Sequence, residues 1–97
     1  MKAADCATMT DVRAEIDRID RALVALLAER SGYIDRAAEL KPALGLPARI
    51  DARVEEVFTK IRAAARLEGL DPALAEMLWR RIIDWSIARE ETTIGDR

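Results

Sequence analysis

Arg30 and Lys41 stand eleven residues apart in "LLAERSGYIDRAAELKP" (26–42), at places where a helical apolar stripe should run. Projected at about 100° per residue from Ile16, the side chains of Leu23, Leu27 and Ile34 fall within about 20° of one line. On the same projection Arg30 lies at about −40°, Lys41 at about −20° and Arg13 at about +60°, the margin of the stripe. A second pattern through Val57, Ile61 and Ala64 places Arg53 inward as well. An unpaired buried cation is costly, so such a pattern needs anions. Asp17, Asp20, Glu39 and Asp84 could supply them in an ion-pair network, or the long side chains could snorkel outward. Cations from two helices facing one core fit a small polyanionic molecule better, and arginine grips carboxylates with a planar fork. Ser86 and Glu90, one turn apart, add polar groups to an apolar face shared with Trp79 and Ile83. Glu90 is either an ion-pair partner for those cations or, if protonated, a donor to a ligand oxygen.

Composition removes most other chemistry. The 97 residues contain no histidine and one cysteine, Cys6. A Ser-His-Asp triad, a Cys-His pair, a histidine zinc site and an intrachain disulfide are thereby excluded. No metal or cofactor is expected. The net charge of −2, with acidic and basic residues interspersed, gives no footprint for nucleic acid or an anionic membrane. No apolar run approaches the roughly 20 residues of a membrane span. "MKAADCATMT" lacks the apolar core of a signal peptide, so a cytoplasmic location is expected.

The elements that must position these residues are helices. A first helix is predicted from Thr10, with Thr10 or Asp11 as N-cap, through Gly32 to the stop at Pro42. A second runs from an Asp51 cap to about Glu68, closed by Gly69. A third starts from the Asp71 cap with Pro72 in its first turn and continues to about Glu91. Its apolar residues (Leu74, Leu78, Trp79, Ile82, Ile83, Trp85, Ile87) point several ways, which suggests more than one neighbour. A first helix of about 32 residues would be about 48 Å long, whereas a domain of this size has a radius of gyration of about 12–13 Å. Such a helix needs a partner for its stripe, so an obligate dimer is expected. Residues 1–9 are expected to be a flexible tail and 10–97 the folded domain.

The segments "VRAEIDRIDRALVALLAER", "ARIDARVEE" and "GLDPALAEMLWRRIIDWSIAREE", with the lysine eleven residues after Arg30, resemble the all-helical (type II) chorismate mutases. The resemblance covers about Thr10 to Glu91. It implies an all-α intertwined homodimer with three helices per chain and two active sites. The implied reaction is the Claisen rearrangement of chorismate to prephenate in aromatic amino-acid biosynthesis. A pericyclic step of this kind needs a bound dianion and stabilised ether-oxygen charge, with no nucleophile, metal or histidine. The resemblance assigns Arg13, reaching into the other subunit's site, and Arg30 to the two substrate carboxylates. It assigns Lys41 to a carboxylate and the ether oxygen, Arg53 to the carboxylate-binding end, Ser86 to a carboxylate, and Glu90 to the ether oxygen opposite Lys41. Lys41, Glu90 and Arg30 are then the catalytic residues. This chain has Val54 where relatives carry a hydroxyl-binding glutamate, and Ile50 where they carry an aspartate. The "DC" near the N-terminus and the "RV" pair at Arg53 are similar to isochorismate-pyruvate lyases, which share the fold. That lyase, a mutase of amino-substituted chorismate and a non-catalytic helical dimerisation module are the alternatives. Glu90 leans away from the lyase, which uses an amide there.

Overall fold

The computed structural model describes residues 1–95 and is all-helical. Helix α1 spans Met9–Leu40, α2 spans Asp51–Glu68 and α3 spans Pro72–Ile94, with short 3-10 turns at Ala3–Asp5 and Pro42–Leu44. Asp96 and Arg97, included in the expected 10–97 domain, lie outside the described residues. Tertiary contacts divide the chain into two units, residues 1–32 and the remainder from Tyr33, although α1 runs unbroken through Gly32.

In the first unit, the expected cap at Thr10 or Asp11 is replaced by Thr8. Its Oγ1 accepts the Asp11 N–H at 3.1 Å, and the Asp11 carboxylate accepts the Ala7 N–H at 3.1 Å. The reciprocal pair satisfies donors at the helix start, which lies at Met9, one residue before the expected Thr10. The α1 stripe is present but uncovered within the chain: Ile16, Ile19, Leu23, Leu26 and Leu27 are all exposed.

In the second unit, close backbone packing joins α2 to α3. The buried apolar positions of the two helices among the described residues are Ile83 and the small Ala65 and Ala75, which let the backbones approach. The α2 face differs from the projection by one residue, since Ala64 is exposed and Ala65 buried, continuing the i, i+4 row from Val57 and Ile61. Asp51 is the first helical residue rather than the cap. Ile50 takes the cap position without a side-chain hydrogen bond, and Asp51 pairs with Arg49 at 2.8 Å.

The α2–α3 connection follows its residues closely. Gly69 adopts the left-handed conformation (φ 71°), and the Leu70 N–H reaches back to the Ala65 carbonyl at 2.8 Å. Asp71 then caps α3 by accepting the Ala73 N–H at 3.0 Å, with Pro72 in the first turn. Arg62 of α2 meets Glu76 of α3 at 3.3 Å, and the Arg62 and Arg80 guanidinium groups both lie over the Phe58 ring. Burial of α3 on several sides is only partly met: Ile83 is buried, whereas Leu74, Leu78 and Trp85 are exposed. Among the described residues no helix is long and apolar enough to cross a membrane.

Candidate functional site

The α1 helix delivers Lys41 at its last turn, where the Lys41 N–H still bonds the Ala37 carbonyl at 2.9 Å. Pro42 cannot continue the ladder, and the chain folds into a 3-10 turn closed by Gly45 at φ 69°. Both the Leu44 and Leu46 N–H groups bond the Lys41 carbonyl at 3.0 Å, which pins the turn to the lysine backbone. The returning chain places the Ala48 carbonyl 2.8 Å from Lys41 Nζ. Ala48 is itself buried.

From α3, Glu90 brings its carboxylate to the same ammonium, with Oε1 2.6 Å from Nζ. The Lys41 side chain is 17% exposed and that of Glu90 6%, so this is a buried ion pair. Oε1 is sealed from solvent, yet among the described residues no donor meets it along a proper hydrogen-bond direction. The 2.6 Å contact is therefore mainly a charge contact, with hydrogen-bonding capacity left over on the oxygen. An ammonium has three donors. One bonds the Ala48 carbonyl and one faces the Glu90 carboxylate.

Ser86, one turn before Glu90, is also buried, and its hydroxyl donates to the Ile82 carbonyl at 2.7 Å. Trp79 is half-buried and Ile83 buried on this face, as their spacing predicts. Beside the pair, Arg89 donates to both carboxylate oxygens of Asp35, from Nε at 2.5 Å and from Nη2 at 2.9 Å. The hydrogen bond from Arg89, reinforced by its charge, holds the Asp35 carboxyl below the usual carboxylate range. The same bond raises Arg89. The Arg89 guanidinium also lies 5.3 Å from the Trp85 ring centre.

The structure thus brings together Lys41, Ser86 and Glu90 in the second unit. Arg53 does not point inward as the projection predicts. It is exposed at the start of α2 and paired with Glu56, a neighbour one turn on, which satisfies the guanidinium at the surface. Ile50 and Val54 are half-buried and apolar. Arg13 and Arg30 belong to the first unit, the former exposed and the latter half-buried. Of the carboxylates considered for the inward cations, Glu39 pairs with Arg36 on the surface at 2.7 Å instead. The Asp35–Arg89 pair and the Ala48 carbonyl were not foreseen. A pair separated by 54 residues leaves no local periodic signal, although the i, i+4 spacing of Trp85 and Arg89 is a legible trace.

Residues 12–91 match the family described as Chorismate mutase type II. The isochorismate pyruvate lyase of Pseudomonas aeruginosa is 37% identical over 90 residues, covering 89% of this chain and 84% of that protein. The chorismate mutase of Methanocaldococcus jannaschii is 25% identical over 83 residues, covering 86% of this chain and 84% of that protein. The T-protein of Enterobacter agglomerans is 33% identical over 84 residues, but this chain spans only 22% of its length. With the family pattern matched from the first turn of α1 to the end of the Glu90 face, the chain belongs to the type II chorismate mutase family.

Proposed function

We propose that the protein is an isochorismate-pyruvate lyase. The observation that carries this reading is the 37% identity to such a lyase along 84% of that protein's length. The apolar Ile50 and Val54 support it, because a carboxylate for the chorismate ring hydroxyl is missing from both positions. In the proposed step the ether C–O bond breaks while a ring hydrogen passes to the enolpyruvyl methylene, giving pyruvate and aromatic salicylate. No atom or electron is taken from the protein. The protein's task is to hold a dianion in a reactive conformer and favour charge on the ether oxygen. The Lys41 ammonium suits that oxygen. The Lys41–Glu90 pair is neutral as a unit, so the substrate carboxylates need other cations. On the family's pattern these are Arg30 and Arg13 of a second copy, with Ser86 as a further contact and Arg53 at the carboxylate-binding end. The exposed stripe on α1 favours that second copy, since contiguous exposed apolar surface marks an interface.

Chorismate mutase is the second reading, and Glu90 is the observation that favours it. It stands beside Lys41, at the position that the mutase pattern assigns to the ether oxygen. Rates on purified isochorismate and chorismate separate the two. Salicylate should form with a kcat/KM at least about tenfold above that for prephenate. The reverse ratio establishes the mutase, and failure to turn over or bind either compound leaves a non-catalytic helical module.

A further inference from the structure

We propose that Asp35 and Arg89 are positioning residues that hold Lys41 and Glu90 in working register. This inference rests on reading the Lys41–Glu90 pair as part of a substrate site. Among the described residues, Asp35–Arg89 and Lys41–Glu90 are side-chain bridges from the C-terminal part of α1 to α3. On α3 their members are adjacent in sequence. On α1 they are six residues apart, about 9 Å along the axis.

Close backbone packing joins α2 to α3. The Asp35–Arg89 and Lys41–Glu90 side chains thus contribute to the position of Lys41 opposite Glu90. Of the two bridges, only Asp35–Arg89 has directional geometry, with two guanidinium N–H groups on two carboxylate oxygens. A bidentate fork resists both sliding and twisting, which a point-charge ammonium does not. Trp85, one turn before Arg89, lies against the guanidinium and limits the arginine to few conformers. The Asp35 carboxyl is lowered and Arg89 raised, mainly by this one hydrogen bond, as expected of a charge-assisted pair. An exposed ion pair of this kind adds little to stability. Its consequence lies in orientation, because a misplacement near 1 Å in a site that works by positioning can cost about 100-fold in rate.

The test uses Asp35→Asn, Arg89→Gln and the charge-swapped double variant Asp35→Arg/Arg89→Asp. Each single change should lower kcat on the active substrate by about tenfold with KM changed less than about twofold. The swap should recover most of the loss, while unfolding midpoints stay near wild type. An independent readout is the 1H–15N signal of the Lys41 ammonium, assigned by its disappearance in Lys41→Met. That signal should broaden in each single variant and return in the swap. Wild-type kcat and an unchanged Lys41 signal in the single variants overturn the proposal, as does a loss that the swap fails to restore. Should the wild-type protein turn over neither compound, the lyase and mutase readings fall, and the Lys41 signal still decides whether the pair sets this register.

Discussion

A lysine and a glutamate buried against each other define the residue scale of this protein. Removing one partner from a buried pair strands the other charge, whereas replacing both with apolar groups of similar shape removes the desolvation cost as well. Lys41→Met and Glu90→Leu should each destabilise the chain by about 3 kcal/mol, and the double variant should recover most of that. Urea unfolding of the three variants measures the coupling. All three should lose turnover, so recovered stability without recovered activity would mark the pair as functional. Asp35 gives a different signature. Its carboxyl lies below the usual 3.8 in the folded chain, so the unfolded chain binds the proton more readily. The stabilisation is fully present above pH 3.8 and is lost as pH falls through the depressed folded value. The stability difference between wild type and Asp35→Asn should therefore be small and constant at neutral pH and vanish in strong acid. A difference that grows on acidification would contradict the assignment.

Helix ends tell most about how far sequence determines element. The Gly69-Leu70-Asp71-Pro72 turn contains a left-handed closing residue, a cap and a proline start, and each performs the role its type implies. Gly69→Ala should cost about 1–2 kcal/mol because a Cβ is unfavourable at φ 71°. Asp71→Ala should cost about 1 kcal/mol through the lost cap. Thermal melts of the two variants check both values. Signals of this sort are local, so they are legible in the chain. Lys41 and Glu90 were legible for a related reason: each lies at a helical-periodic position whose polarity is wrong for its face. Arg53 shows where that logic stops. Its angle near the stripe cannot reveal that a glutamate one turn away holds it at the surface. The Asp35–Arg89 pair was invisible because its members are joined only by the fold.

At the scale of the whole molecule, the largest discrepancy is between apolar content and apolar burial. Half the residues are apolar, yet among the described residues the buried hydrophobic ones are Ala38, Ala48, Ala65, Ala75 and Ile83, four of them alanines. Leu23 is 53% exposed, Leu26 61% and Leu27 43%, on a helix that carries this stripe turn after turn. A side chain of this size contributes about 1.5–3 kcal/mol when fully buried. Five such residues on α1 therefore represent a driving force comparable to the total stability of a small domain. A second copy of the chain would convert that surface into core, and on the proposed reading Arg13 would serve that copy's site. Light scattering coupled to size exclusion should give a dimer mass at micromolar concentration. Leu23→Lys with Leu27→Lys should shift the protein towards monomer and lower its melting temperature. If Arg13 serves the other copy's site, mixing Arg13→Ala chains with Lys41→Ala chains should restore activity to about a quarter of wild type, because random pairing makes half the molecules mixed and each mixed dimer keeps one intact site. A monomeric wild-type protein that turns over substrate would remove the dimer and the shared site together.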